Sequence, residues 1–165
     1  MPSNPGLDPD VMHLLVVVAQ AARGEEMRER LAGLSGGRRL ELRVIAPAYA
    51  GSMLEYVASD VDRGIERARG RLRTSLDEFG RGGIATSGGE IGEADPLMAI
   101  DDALVEFPAD EIVIVPSPRR DQWAEKHLFE HVCRRFELPV WEIELNEDEG
   151  GITHAVQVAY SPVAR

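Results

Sequence analysis

The sequence predicts an α/β domain, a mainly parallel sheet with helices on both faces. Three observations carry this. Short apolar, β-branched runs alternate with charged helical stretches along the whole chain, the pattern of a parallel sheet with crossover helices. The first run, His13 to Val18, is continuously apolar, as in a strand buried on both faces. Finally, Ser87-Gly88-Gly89-Glu90-Ile91-Gly92-Glu93-Ala94-Asp95-Pro96 reads as a glycine-rich turn into a helix, and that helix leads into Glu111-Ile112-Val113-Ile114-Val115. Such a βαβ unit places ligands where strands end and helices begin.

Residues 1–10 hold three prolines and a glycine and read as a flexible leader. After the first strand a charged helix is expected from about Arg23 to Leu34, ended by Gly33, Gly36 and Gly37. Leu40 to Ala46 is the second strand, stopped by Pro47. In the next helix Leu54, Val57, Val61, Ile65, Ala68, Leu72, Leu76 and Phe79 are spaced 3, 4, 4, 3, 4, 4, 3, which keeps one apolar stripe on one face. Arg63, Arg67, Arg71 and Arg73 lie off that stripe and read as a solvated basic face. Gly80, Gly82 and Gly83 break the helix, and Ile84-Ala85-Thr86 is a short third strand.

Asp95 is a good N-cap with Pro96 at the first helical position. Leu97, Ile100, Leu104 and Phe107 then form an apolar stripe. The fourth strand is Ile112 to Val115. Asp121 can cap a helix running to about Phe136, and Pro139 opens a fifth strand. There Val140, Glu142 and Glu144 alternate with Trp141, Ile143 and Leu145, which predicts one wet face near a sheet edge. The domain proper is expected over 11–145. Residues 146–165 read as an acidic loop followed by a strand-like extension, Ile152 to Tyr160.

At 165 residues the chain is long enough to bury a substantial core. No apolar run approaches membrane-spanning length. The start of the chain lacks the basic region of a secretory signal, and the single Cys133 rules out an intramolecular disulfide. Both fit a reducing cytoplasm. The net charge is −11, and it is unevenly placed. Residues 1–82 carry 12 acidic and 12 basic side chains, whereas residues 83–165 carry 17 acidic and 6 basic. An acidic half argues against DNA or RNA as a partner, because phosphate backbones call for clustered cations.

Gly89-Glu-Ile-Gly92-Glu-Ala-Asp95-Pro96-Leu-Met-Ala-Ile100 resembles the third-strand turn of universal stress protein domains, where G-x-x-x-x-P-x-x-x-I precedes a helix. The long second helix, the approach Ala109 to Val115 and the Pro139-Val140 start of strand five agree, so the resemblance covers roughly 12–145. It implies an open five-stranded sheet of order 3-2-1-4-5, a Rossmann-like three-layer sandwich of the adenine-nucleotide alpha-hydrolase kind. It also implies a cytoplasmic location and a homodimer joined along strand five, here Val140 to Leu145.

The family's nucleotide-binding members carry G-x-x-G and a later G-Ser/Thr after strand four. This chain has Val115-Pro116-Ser117-Pro118-Arg119-Arg120 there, with no glycine between Asp110 and Gly150. Proline also removes an N–H that a phosphate would need. The Asp that those members place after strand one is absent from Val18-Ala19-Gln20-Ala21. No ATP or other cofactor is therefore expected by the usual route, although ATP or AMP could bind through altered contacts. A ligand at the C-terminal strand edge would lie near Gln20, Ala46, Gly88, Gly89, Arg119 and Arg120, with the two arginines able to grip an anion.

Other motifs read as structural. His127-Leu128-Phe129-Glu130-His131 matches the H-x-x-E-H zinc-protease pattern, but both imidazoles fall off the apolar side of their helix. Cys133 lies on that apolar side and reads as a buried thiol. Ser52, Ser87 and Ser117 sit in loops without a nucleophile elbow, and Glu147-Asp148-Glu149 lacks the ligand alternation of a calcium loop. The expectation is a non-enzymatic, stress-related binding or regulatory module. The alternatives are a binder of a nucleotide or other anionic metabolite, and a small hydrolase or transferase of the wider superfamily, for which no nucleophile–base pair can be assembled.

Overall fold

A computed structural model describes residues 6–48, 61–93, 95–117 and 127–163. The elements are β1 (Val11–Val18), α1 (Glu25–Leu34), β2 (Arg39–Pro47), α2 (Val61–Arg81), β3 (Ala85–Gly92), α3 (Pro96–Glu106), β4 (Glu111–Val115), α4 (Leu128–Arg135), β5 (Val140–Glu147) and β6 (Thr153–Ser161).

Among the described residues the sheet has six strands, not five, in the order β3-β2-β1-β4-β5-β6. The first five pair in parallel. The sixth runs antiparallel along β5, from Val140 opposite Ser161 to Glu147 opposite Thr153. The expected extension is thus part of the sheet, and β5 is an interior strand. This also corrects its expected wet face. Glu142 is only 7% exposed and Val140 is fully buried, because α4 covers that face while β4 and β6 flank the strand.

Alternation along β1 sends side chains to both sides. Met12, Leu14, Val16 and Val18 meet Met27 and Leu31 of α1 and Ala68 and Phe79 of α2. Leu15 and Val17 meet Ala99, Ile100 and Ala103 of α3 and Leu128 and Val132 of α4. Each face of the sheet therefore carries its own apolar layer, the arrangement that an all-parallel core requires. Asp95 caps α3 by accepting the Leu97 N–H at 2.9 Å, and Pro96 opens the helix. The positions 54, 57 and 121 lie outside the described residues.

The glycine-rich run is not a turn, as expected, but most of β3 itself. Leu42 pairs with Thr86 and Val44 with Gly89, so Ser87 and Gly88 bulge opposite the single residue Arg43. Gly88 adopts φ +107°, a backbone that other residues rarely take. The Arg43 guanidinium fills the bulge, donating to the Ser87 carbonyl at 3.1 Å. Further along, a Cβ on Gly89 would lie 2.5 Å from Leu72 Cδ1 and 3.0 Å from the Val44 carbonyl oxygen. One on Gly92 would lie 2.5 Å from Ala99 Cβ. The glycines thin the strand so that α2 can close on one face and α3 on the other.

Candidate functional site

Strand order reverses between β1 and β4, since β2 and β3 lie to one side of β1 and β4 and β5 to the other. In open α/β sheets the crevice beyond the strands' C-terminal ends at such a point is where ligands bind. The described residues there include Val18-Ala19-Gln20 at the end of β1, Pro47-Ala48 at the end of β2 and Pro116-Ser117 after β4. The ladder continues slightly past the strands: Ala19 N–H donates to the Val115 carbonyl at 3.0 Å and Ala48 N–H to the Gly92 carbonyl at 3.3 Å.

An arginine from α2 crosses this edge. Arg71 donates from Nε to the Val18 carbonyl at 3.2 Å and from Nη2 to the Pro47 carbonyl at 2.7 Å. It is partly buried, unlike Arg63, Arg67 and Arg73, which are exposed. The expected solvated basic face therefore holds for three of its four members and not for Arg71. One turn later Ser75, fully buried, donates its hydroxyl to the Arg71 carbonyl at 2.7 Å and accepts the Ala22 N–H at 2.9 Å. Together Arg71 and Ser75 tie α2 to the segment that follows β1. They also put a permanent positive charge at carbonyl-rich strand ends, where the parallel ladder runs out of donors.

The residues expected at the ligand edge divide. Gln20 is there, partly buried, and its Oε1 is a buried acceptor without a hydrogen-bond partner among the described residues. Ala46 lies at the end of β2, paired with Ile91, but its side chain is fully buried in the α1/α2 layer. Gly88 and Gly89 sit within β3, with Gly89 three residues short of the strand's C-terminal end at Gly92. Their spacing serves the bulge and the helix contact, not the edge. Arg119 and Arg120 lie outside the described residues. Arg71 was missed. The available signal was its spacing, three residues after Ala68 and four before Ser75, both of which are fully buried.

A second hollow lies on the flank of the sheet. A groove of about 590 Å³ runs between α1 and the β5–β6 pair, lined by Glu26, Glu29, Leu34, Trp141, Ile143 and Gln157 among others. Trp141 packs against Tyr160, ring centroids 4.1 Å apart, and its indole N–H donates to Glu111. Burial pushes the Glu111 carboxyl above its usual range.

Of the other candidates, His127 and His131 are both exposed, and His127 precedes α4 in a left-handed conformation, φ 62°. Among the described residues no group of three or more His, Cys, Asp or Glu is arranged to hold a metal ion. Burial raises the Cys133 thiol above its ordinary value, which lowers its thiolate fraction and its reactivity. Ser117 is 6% exposed at the end of β4. Among the described residues no helix is long and apolar enough to cross a membrane.

No protein-family model matches the sequence, and no curated protein matches it either. The fold does have a counterpart among solved structures. A universal stress protein family protein from Arabidopsis thaliana, whose structure was determined with AMP bound, aligns over 84% of this chain and 94% of its own. The TM-score is 0.50 and the sequence identity 14%. At that identity the alignment speaks for the fold, and the fold of this chain is universal stress protein-like, with a sixth strand on the β5 edge.

Proposed function

We propose that the chain is a non-enzymatic, universal stress protein-like binding module that takes an anionic small molecule at the C-terminal strand edge. Arg71 carries the reading. It brings a guanidinium charge to the end of β1 beside the point where strand order reverses, and a guanidinium matches phosphate and carboxylate geometry. Gln20 adds an acceptor that no described residue donates to, suited to a ligand that also offers an N–H. Nucleoside monophosphates satisfy both requirements, and the structural neighbour was solved with AMP. The route differs from a glycine-cradled phosphate, because Pro116 follows β4 directly and has no N–H to donate. A stress-related role in the cytoplasm is part of this reading, resting on the fold and on the single cysteine.

One observation favours a second reading. Arg71 already donates to two strand-end carbonyls, so it can act as a structural plug in a ligand-free regulatory domain. The readings separate by experiment. Purified protein is denatured and any released small molecule identified by mass spectrometry. In parallel, AMP, ATP and phosphate are screened for thermal stabilisation of the wild type and of Arg71→Gln. The binding reading expects stabilisation by at least one anion, lost in the variant, with no turnover. No released molecule and no anion-dependent shift would leave only the plug.

The homodimer belongs to the proposal in altered form. β6 covers β5 within the same chain, so the open antiparallel edge is now β6 itself. Val156, Val158 and Tyr160 there are 47%, 43% and 42% exposed, and residues 155–163 carry no charge. Two acidic copies would meet along that stretch.

A further inference from the structure

His154, the second residue of β6, lies between two carboxylates. Its Nδ1 is 2.8 Å from Glu26 Oε1 on α1, and its Nε2 is 2.9 Å from Asp148 Oδ2 in the β5–β6 loop. A carboxylate only accepts, so both contacts are hydrogen bonds only when both ring nitrogens carry a proton. A neutral imidazole has one N–H and must give up one of them. Each carboxylate is also anchored by backbone. Glu26 Oε2 accepts the Ala155 N–H at 2.9 Å, and Asp148 Oδ1 accepts those of Gly150 and Ile152, both at 2.9 Å. Three pieces of chain therefore meet at one ring: the first turn of α1, the hairpin loop and the start of the edge strand.

We propose that Glu26, His154 and Asp148 form a protonation-dependent clasp that fastens β6 and its loop to α1, closed while His154 is an imidazolium and loosened when it is neutral. The other charges on these elements do not replace it. Arg30 and Glu29 follow Glu26 on α1, and Glu149 sits in the loop. Glu147 at the end of β5 is paired with Arg23 ahead of α1 at 3.1 Å, a second tie between the same two regions. Glu144 on β5 lies opposite Val156 and has its own partner.

The electrostatics agree with the geometry. The hydrogen bonds to Asp148 and then to Glu26 raise the His154 pKa above its ordinary value. Glu26 is lowered, first by the Ala155 N–H and then by His154. Asp148 is lowered, first by His154 and then by the Ile152 N–H. For the raised histidine, the stabilisation is complete below its ordinary value near about 6.5 and fades as pH climbs through the raised value. For the lowered carboxylates, it is present above their ordinary range and fades as pH falls through the lowered values. The clasp is therefore tightest between these limits and opens on the alkaline side as His154 loses its proton. Opening frees the Ala155 N–H and loosens the cover over Ala155 and Leu145, each 1% exposed.

Amide hydrogen exchange on the full-length protein tests this, with rates corrected for intrinsic exchange. Between about pH 6 and about pH 9, protection of the Ala155 and Ile152 amides should fall at least tenfold in the wild type, while Val16 in β1 holds steady. His154→Gln should be poorly protected at every pH. His154→Lys, a cation throughout the range, should be protected and flat. Retention of the wild-type pH profile by His154→Gln would overturn the clasp. So would a His154 ring that titrates, by NMR, at or below the ordinary histidine value.

Discussion

Arg71 and Gly92 hold the sheet's C-terminal half by opposite means, one by filling space with donors and the other by leaving space empty. Without the Arg71 guanidinium, the Val18 and Pro47 carbonyls lose their side-chain donor. Arg71→Met should then lower stability by about 1–3 kcal/mol, the range for partly buried acceptors left unpaired, read as a lower denaturant midpoint. At Gly92 the added methyl of Gly92→Ala meets Ala99 Cβ at 2.5 Å. Neither atom can swing away, so α3 must shift, at a cost of about 1–3 kcal/mol. Gly70→Ala is the control. It sits on the exposed side of α2 with nothing within 4 Å of the new methyl, and it should raise stability by about 0.5–1 kcal/mol through helix propensity. An equal loss in both glycine variants would refute the packing account of β3. At this scale the sequence was only partly legible. Asp95 and Pro96 announced their helix start because a cap is a local bond. Arg71 did not announce its partners, because they belong to strands 53 and 24 residues away.

The elements themselves were easier to read, and the errors have physical sources. β1 and β4 declared themselves through apolar runs, and β2 through Val44-Ile45-Ala46 after Glu41 and Arg43, because these stretches are buried on both faces. β3 did not, since its glycines suggest a turn to any reading that looks only along the chain. Its identity comes from outside, from α2 and α3 pressing on both faces. β5 was placed but misjudged: Glu142 and Glu144 imply water, yet Glu142 is 7% exposed because α4 covers it. For β6 the exposed Val156, Val158 and Tyr160 lead to a prediction at this scale. Val158→Lys puts a charge on the edge and should convert any dimer seen by sedimentation velocity to monomer while leaving the circular dichroism unchanged. A dimer that persists in this variant would place the interface elsewhere.

Across the molecule, charge is divided as unevenly as the apolar residues are evenly layered. The half of the chain from residue 83 onward carries 17 acidic against 6 basic side chains, and it supplies β3, α3, β4, α4, β5 and β6. Like charges on neighbouring elements repel in dilute buffer and are screened within about 8 Å at physiological ionic strength. The melting temperature should therefore rise as sodium chloride is raised from low to physiological concentration. A fall would mean that ion pairs such as Arg135–Asp101, 2.8 Å apart, outweigh the repulsion. The strand order also has a bearing on synthesis. Every parallel neighbour in the sheet is reached by a helical crossover, whereas β6 joins β5 through a hairpin of residues 148–152. As the nascent chain leaves the ribosome, β5 is briefly an open edge, and the strand that closes it emerges last of those described. The pairing that covers β5 is thus a local hairpin closure, of a kind that takes microseconds, which shortens the interval in which one nascent chain could pair with another.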